Sequence, residues 1–471
     1  MYVMKTKPWE HQLKALDFLM ARSYGALYTD MGSGKTKVAI DLIVTKGFNF
    51  TVVCGTKKSC DVWEKEFTIH CDTPRRKICV FNAVKYSTLD KITRLKEKLR
   101  SASISDQKLV LIINYDSVWR KPFSEYLIKQ RIDCVICDES HRIKAPNSKC
   151  SMYLTRLGKK VPNRYLMTGT PTTESPVDVY AQYRFLQPSI FGTRFSEFRD
   201  KYENVDVVAT TYAGYRVLHK NQPYKNLDEL KEKMYSCAFY VTPNLHLPSQ
   251  TFINYEFEPS KKLIEIYKEV KKEGVYTDDE KVLETNNALV KVLRQQQILS
   301  GYVPMENQDF TQKIEEVVDY TREEALIQLL EDIPKTEPVV VFAKFRHDFR
   351  CIEDACKKLG YKYAEISGKR DDEQEWQEGK AHVLAVHYKS GSESINLTKA
   401  RYCIYYSLSH SYGLYRQSLK RIHRPGQTRP VTYYNIVCKI PKITTIDEQI
   451  LTALKSKQDV AEYLLKNKSR V

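Results

Sequence analysis

The chain of 471 residues has no hydrophobic run long enough to cross a membrane. A membrane-spanning helix needs about 18 consecutive apolar residues, and the apolar stretches here are much shorter. The first ten residues also lack the apolar core of a signal peptide, and they end in Pro8, Trp9 and Glu10. We therefore expect no membrane partner and no signal peptide.

Patterned cysteines are lacking as well. Twelve cysteines are scattered along the chain, and only Cys134 and Cys137 have the C-x2-C spacing of a metal clip. They lie in an apolar run typical of a buried strand, where residues three apart point to opposite faces. The pattern argues against a zinc site and a disulfide framework. It favours a reducing compartment, so we expect a cytoplasmic protein.

Acidic residues are in deficit. The chain has 75 Lys and Arg against 58 Asp and Glu, a formal net charge of +17. Such an excess favours a polyanionic partner, nucleic acid before membrane, although a soluble protein with a merely basic surface fits it too. No Lys/Arg-rich tail is present, so a nucleic-acid surface would have to be assembled by the fold.

Short apolar runs alternate with helical patterns at both ends of the chain, which predicts an α/β fold with two lobes and parallel sheets covered on both faces. The predicted strands are residues 51–54, 109–114, 134–137 and 165–167 in the first lobe, and 339–342, 383–386, 403–406 and 431–436 in the second. Helices are predicted at residues 35–44, 226–235, 259–272 and 287–299.

The middle of the chain is poorer in strand patterns and is punctuated by prolines. We interpret it as a helical insertion followed by a hinge. The predicted organisation is an N-terminal lobe at residues 1–190, a helical insertion at 191–255, inter-lobe helices and a hinge at 256–334, and a C-terminal lobe at 335–471.

A phosphate cradle is predicted just before the first of these helices. Its residues are Asp30, Met31, Gly32, Ser33, Gly34, Lys35 and Thr36. The two glycines permit a backbone that points N–H groups at phosphate oxygens, and the helix N-terminus adds a favourable dipole. Lys35 is expected to bridge the outer phosphates of a nucleotide, and the Thr36 hydroxyl to reach magnesium. Thr29 stands where the broad consensus has its first glycine.

Two carboxylates follow the predicted strand 134–137. At a strand end beside a phosphate cradle, Asp138 is expected to hold magnesium, and Glu139 to orient and deprotonate an attacking water. Taken alone, Asp138-Glu139-Ser140-His141 would also fit a solvated turn. Its order after the cradle favours the catalytic interpretation.

Two arginines stand near the other end of the chain, three residues apart. Arg421 and Arg424 follow Gln417 at helical spacing, inside a stretch that ends in Arg424-Pro425-Gly426-Gln427. Surface arginines are usually solvated, but inserted arginines also stabilise the charge that develops on the γ-phosphate. A cradle and two distant arginines together predict a nucleotide site closed between two lobes.

Together these residues resemble superfamily-two helicases and, within them, the Swi/Snf family of DNA-translocating ATPases. The likeness covers nearly the whole chain, and the ending Arg-Pro-Gly-Gln is its most specific element. The matching segments, in family order, are residues 8–12 (the adenine-reading element), 30–36 (motif I), 52–67 (motif Ia), 114–116, 138–141 (motif II), 166–171 (motif III), 340–343 (motif IV), 390–397 (motif V) and 417–427 (motif VI).

The resemblance implies two RecA-like lobes that close on ATP and Mg²⁺ and move the protein along duplex DNA with little or no strand separation. It further implies that Gln12 contacts the adenine. The candidate DNA contacts are Lys57, Lys58, Thr168, Ser390 and Asn396. The chain looks like a minimal, monomeric motor of the phage or bacterial type.

Three other functions stay open. One is a DNA or RNA helicase of the same superfamily that separates strands. Another is a nucleotide-gated DNA-binding module whose hydrolysis is vestigial. The third is the motor subunit of a restriction or defence complex, acting through partner proteins.

Overall fold

The computed structural model divides the chain into two compact units. The first contains residues 1–244 and 457–471, and the second contains residues 245–456. The structure describes residues 5–30, 32–72, 77–208, 215–219, 222–241, 247–278, 281–285, 287–307, 313–391 and 395–465. Within these residues, no helix combines the length and the apolar character that a membrane crossing needs.

The first unit alternates strands and helices. Its strands are β1 (Tyr24–Thr29), β2 (Phe50–Gly55), β3 (Ile78–Asn82), β4 (Lys108–Asn114), β5 (Cys134–Asp138), β6 (Asn163–Thr168), β7 (Val205–Val208), β8 (Tyr215–Leu218) and β9 (Ala238–Val241). Its helices are α1 (Glu10–Met20), α2 (Lys35–Lys46), α3 (Lys57–His70), α4 (Thr88–Ile104), α5 (Tyr115–Val118), α6 (Phe123–Leu127), α7 (Lys149–Gly158), α8 (Val179–Leu186), α9 (Phe195–Tyr202) and α10 (Leu227–Tyr235). Short 3₁₀ helices span Ser140–Ile143 and Pro176–Asp178.

A parallel sheet forms the centre of this unit. Its described strands follow the order β3-β4-β2-β5-β6-β1-β9. Successive residues of a strand face opposite sides, so Ala26 and Tyr28 of β1 belong to one apolar cluster and Leu27 to another. Both faces are therefore covered, as the continuous apolar runs predict. The order also brings the carboxyl ends of β1, β5 and β6 to one edge.

The second unit is built in the same way. Its strands are β10 (Gln250–Phe257), β11 (Val275–Asp278), β12 (Lys281–Glu284), β13 (Tyr302–Asn307), β14 (Lys313–Val317), β15 (Val339–Ala343), β16 (Tyr363–Ile366), β17 (Val383–His387), β18 (Tyr402–Tyr405) and β19 (Val431–Cys438). Its helices are α11 (Lys261–Lys272), α12 (Ala288–Leu299), α13 (Thr321–Asp332), α14 (Arg346–Leu359), α15 (Glu373–Gln377), α16 (Tyr388–Gly391), α17 (Tyr412–Ile422) and α18 (Ile446–Leu465). The last helix ends within the first unit.

A second parallel sheet, in the order β10-β19-β18-β15-β17-β16, forms the centre of this unit. On one face, Val339, Val341 and Ala343 of β15 pack in an apolar core with residues of α13 and α14. On the other face, Phe342 stacks 5.6 Å from Tyr405, centroid to centroid. All eight predicted strands are confirmed, with observed ends within two residues of the predicted ones, and so are the four predicted helices.

The middle of the chain contains more β-structure than its sequence predicts. Residues 191–255, expected as a helical insertion, contain helices α9 and α10 but also the hairpin β7–β8 and the edge strands β9 and β10. Residues 256–334 contain α11, α12 and α13 together with an antiparallel sheet in the order β11-β12-β13-β14. These strands are short or lie at sheet edges, where no continuous apolar run marks them.

Candidate functional site

The predicted phosphate cradle joins β1 to α2 in the first unit. Gly32 and Gly34 have φ angles of 79° and 78°, in the left-handed region that glycine adopts without strain. The helix begins at Lys35, so its unpaired N–H groups lie at the loop, where an anion is favoured. Met31, also predicted here, lies outside the described residues.

The start of α1 is clamped onto this loop. Gln12 is buried, and its Nε2 donates to the carbonyl of Ser33 over 3.1 Å while its Oε1 accepts from the Trp9 N–H over 2.9 Å. His11 Nε2 lies 2.9 Å from the same carbonyl. The φ angle requires glycine at position 34, and a Cβ there would also come within 2.1 Å of Gln12 Nε2, so an alanine would displace the Gln12 amide.

The Lys35 ammonium group is held by the cradle itself. Its Nζ donates to the carbonyls of Thr29 over 2.9 Å and Asp30 over 3.1 Å. Ser33 Oγ donates to the Asp30 carbonyl over 2.6 Å. Thr36, predicted to reach magnesium, is half-buried in the first turn of α2. The lysine is therefore already at the loop where phosphates are expected.

Asp138 ends β5 as a buried carboxylate with both oxygens engaged. Oδ2 accepts from the indole N–H of Trp63 over 2.9 Å, and Oδ1 accepts from the Glu139 N–H over 3.0 Å. Burial disfavours the ionised form and Glu139 adds negative charge, which together raise the pKa of Asp138 to about 6. Trp63 and the Lys35 ammonium group act in the opposite direction.

The buried carboxylate of Asp138, with Glu139 beside it, fits a magnesium ion. A desolvated carboxylate beside a second carboxylate is stabilised by a nearby cation, and Mg²⁺ typically takes one or two protein carboxylates with the substrate's phosphates and water. Among the described residues, no group of three or more His, Cys, Asp or Glu side chains forms an all-protein metal cage. The donor set therefore suits an ion bound together with a nucleotide.

Glu139 follows in a strained conformation. Its φ of 49° and ψ of 52° place a non-glycine residue in the left-handed region, which costs about 1–3 kcal/mol. Thr168 Oγ1 donates to Glu139 Oε2 over 3.3 Å, and His141 Nδ1 lies 3.4 Å from the same oxygen. Thr168, predicted to contact DNA, is wholly buried in this arrangement. The acidic turn (residues 138–141) and the threonine segment (residues 168–171) thus meet at Glu139.

The predicted arginines lie in the second unit. Gln417 and Arg421 are buried on α17. Arg424 follows the helix, and its Nη1 donates to the carbonyl of Ile395 over 3.3 Å. Burial lowers the pKa of Arg424 from its usual high range. The structure therefore brings Lys35, Asp138 and Glu139 to one site in the first unit, and Gln417, Arg421 and Arg424 to one region of the second.

Gln427 joins this region to the segment that carries Asn396. Its Nε2 donates to the carbonyls of Thr398 over 3.0 Å and Ala400 over 2.9 Å. Asn396 is exposed, and its carbonyl accepts from Gln377 Nε2 over 2.6 Å. Gln427 belongs to the motif that ends in Arg-Pro-Gly-Gln, but its hydrogen bonds to Thr398 and Ala400 have no sequence signature.

The other predicted DNA contacts are distributed over both units. Lys57 is exposed at the start of α3, and Lys58 beside it is half-buried. Ser390 is half-buried on the short helix α16 of the second unit. Gln182, which contacts Ser140, was not connected to the site by sequence reasoning. Trp63 lies in the segment 52–67 that resembles motif Ia, but its contact with Asp138 has no sequence signature.

Two family models match the chain. Residues 11–309 match the model described as SNF2-related domain, and residues 321–426 match the model described as Helicase conserved C-terminal domain.

Known proteins resemble the chain over most of its length. It is 23% identical over 513 residues to the DNA repair and recombination protein RAD54B of Gallus gallus, an alignment covering 96% of this chain and 54% of that protein. It is 23% identical over 373 residues to an uncharacterized ATP-dependent helicase of Mycoplasma pneumoniae, covering 76% and 32%. The chain spans about half or less of the length of these relatives.

Among solved structures, the chain is similar to the SWI2/SNF2 ATPase core of Sulfolobus solfataricus in complex with dsDNA, with 20% identity and a TM-score of 0.43. That similarity covers 98% of this chain and 94% of the other.

Proposed function

Since this chain belongs to the family of SNF2-related domains, we propose that it is a DNA-dependent ATPase that moves along duplex DNA with little or no strand separation. Its two parallel-sheet units are the RecA-like lobes expected from the sequence. The observation that carries the proposal is the meeting of Lys35, Asp138 and Glu139 at one phosphate cradle. The DNA repair and helicase names of its relatives and its charge of +17 support a nucleic-acid partner.

Hydrolysis would use the side chains of the first lobe. Lys35 would leave its two carbonyl partners and bind the outer phosphates of ATP. Glu139 would orient the attacking water and accept its proton. Thr36 and Asp138 would hold Mg²⁺, which when bound neutralises charge on the phosphate oxygens. Gln12, whose side chain contacts the cradle at Ser33, would contact the adenine.

The second lobe would complete the reaction by contributing positive charge. Arg421 and Arg424 would stabilise the negative charge that develops on the γ-phosphate, with Gln417 binding nucleotide beside them. In this proposal ATP binding closes the lobes and hydrolysis reopens them. The resting bond from Arg424 to the Ile395 carbonyl would be exchanged for a bond to phosphate.

DNA would be held mainly through its phosphates, so binding would tolerate many sequences. Lys57, Lys58, Ser390 and Asn396 are the proposed surface contacts. Thr168 belongs to the same predicted set, and its burial against Glu139 suits it to transmit DNA binding to the acidic turn.

The decisive experiment measures ATP hydrolysis without nucleic acid and then with duplex DNA, single-stranded DNA and RNA. We expect strong stimulation by duplex DNA alone, displacement of a triplex-forming strand, and no unwinding of a plain duplex. Lys35→Ala is the matched variant. Its turnover should fall about 100-fold or more because the positive charge that the lysine places against the outer phosphates is lost.

Other outcomes would replace this proposal. Stimulation by single strands or RNA, with unwinding, would assign the chain to the strand-separating helicases. Absence of turnover with every nucleic acid would favour a nucleotide-gated binding module. Normal turnover by Lys35→Ala would contradict the site assignment itself.

A further inference from the structure

A glutamine outside every recognised motif joins the acidic turn to the threonine segment. Gln182 lies on α8 and is completely buried. Its Oε1 accepts from Ser140 Oγ over 2.7 Å. Its Nε2 donates to the Pro171 carbonyl over 2.8 Å and to the Asp178 carbonyl over 2.9 Å. One amide thus holds a residue of each segment at the same time.

Both segments carry a group of the proposed reaction. Ser140 directly follows Glu139, whose left-handed backbone persists only if its surroundings enforce it. Pro171 follows Thr168, whose hydroxyl lies 3.3 Å from the Glu139 carboxylate. Relative movement of the two segments would therefore lengthen the Glu139–Thr168 contact and release the strained turn.

Gln182 could simply be a core glutamine whose polar atoms are satisfied. Its partners argue for more, because each half of the amide binds a different segment of the site and Ser140 is completely buried as well. Lys144 and Thr173 lie just beyond these two segments and form another link, in which Lys144 Nζ donates to Thr173 Oγ1 over 2.6 Å, and Lys144 is partly exposed. Buried, fully paired polar groups hold geometry more tightly than exposed ones.

We propose that Gln182 is a positioning residue that locks the acidic turn to the threonine segment, so that Glu139 stays aligned for hydrolysis. This inference rests on the ATPase function proposed above. Gln182 is completely buried and is not among the residues proposed to bind nucleotide. Its loss should therefore lower kcat and leave the KM for ATP nearly unchanged, since the cradle is built from other residues.

The test uses three variants: Gln182→Leu, Ser140→Ala and the double variant that combines these two changes. Tyr183→Phe is the control. Tyr183 is the next residue on α8, and its hydroxyl donates to the Met234 carbonyl over 2.7 Å. Tyr183→Phe therefore removes one buried hydrogen bond that lies outside the site. We expect kcat to fall about tenfold in Gln182→Leu and less in Ser140→Ala, with KM within about twofold, because small displacements of catalytic groups are costly. The double variant should match Gln182→Leu, because both changes break one link.

Hydrogen exchange provides a readout independent of turnover. Gln182→Leu should speed amide exchange in both the acidic turn and the threonine segment, whereas Tyr183→Phe should not. If Gln182→Leu does not fold, Ser140→Ala, which only removes a hydroxyl, carries both measurements.

The outcomes separate cleanly. Unchanged kcat and exchange in Gln182→Leu and Ser140→Ala would overturn the inference, and an equal loss of kcat in Tyr183→Phe would show general destabilisation instead. A wild-type protein without ATPase activity would refute the proposed function, while exchange would still decide whether Gln182 couples the two segments.

Discussion

At the scale of single residues, the site depends on backbone conformations that side chains usually avoid. Gly32, Gly34 and Glu139 all have positive φ angles between 49° and 79°. The glycines adopt them freely, but Glu139 is held there by its neighbours. We propose that Glu139 is catalytic, and strain at this carboxylate fits a residue whose direction matters more to the protein than the stability it costs.

Gly34→Ala tests this requirement. The new Cβ would lie 2.1 Å from Gln12 Nε2, so the clamp between α1 and the cradle must open. We expect the Kd for nucleotide to rise at least about tenfold, a loss of about 1.4 kcal/mol. Titration with a fluorescent nucleotide measures it.

Gly192→Ala is the matched control. Gly192 has a similar φ of 82°, but a Cβ there meets nothing within 4 Å. Both variants should lose about 1 kcal/mol of stability from the left-handed backbone, and only Gly34→Ala should lose nucleotide binding. Equal nucleotide affinities would show that the approach to Gln12 is unimportant.

Sequence reasoning found the residues whose type alone suggests chemistry. Lys35 follows a glycine loop, and Asp138 ends an apolar run, so both could be predicted from local pattern. The contact of Trp63 with Asp138 and the contact of Gln182 with Ser140 could not, because the partners lie 75 and 42 residues apart in the chain. Such contacts depend on how strands are ordered in the sheet, which local patterns do not specify.

At the scale of elements, buried parallel strands were predictable and edge strands were not. A central strand needs apolar residues on both faces, which leaves a continuous run in the sequence. The edge strand β10 is mostly exposed and mixes Thr251, Phe252 and Asn254, so it has no such run. The antiparallel strands β11–β14 span only four to six residues each, and the helices around them dominated the prediction.

A buried arginine joins several elements of the second unit. Arg322, at the start of α13, donates to the carbonyls of Leu299 over 2.8 Å and Tyr406, and its guanidinium pairs with Asp447 at the start of α18. Both charged side chains are almost completely buried. One side chain therefore connects α12, α13, α18 and the residue after β18.

Arg322→Met should lower the free energy of unfolding of this unit by about 3–5 kcal/mol, because the Asp447 carboxylate is left buried without its cationic partner. Urea denaturation with hydrogen exchange of α13 measures the change. Arg350→Met removes an exposed pair with Glu315 in the same unit and should cost at most about 1 kcal/mol. If both variants lost the same free energy of unfolding, burial would not determine how strongly the Arg322–Asp447 pair stabilises the unit.

At the scale of the whole molecule, the excess of positive charge should set how DNA binding responds to salt. Each phosphate neutralised by Lys or Arg releases counterions, so affinity falls steeply as salt rises. We expect the duplex concentration that gives half-maximal ATPase stimulation to rise steeply with salt, while hydrolysis without DNA changes little.

Lys57→Ala refines this prediction. If Lys57 contacts a phosphate as proposed, its removal should weaken binding to all sequences alike and reduce the slope of log affinity against log salt by about one. An unchanged slope would show that Lys57 does not contact the DNA phosphates. A salt-independent wild type would argue against a phosphate-dominated interface altogether.

The first unit is also assembled from two separated stretches of the chain. Leu464 and Leu465 of α18 pack into its apolar core, and the Tyr235 hydroxyl donates to the Leu465 carbonyl over 3.0 Å. During synthesis on the ribosome, more than two hundred residues emerge between these partners. The core of the first unit is therefore completed only after residues 464 and 465 have been synthesised, and the apolar side chains that they cover stay open to solvent until then.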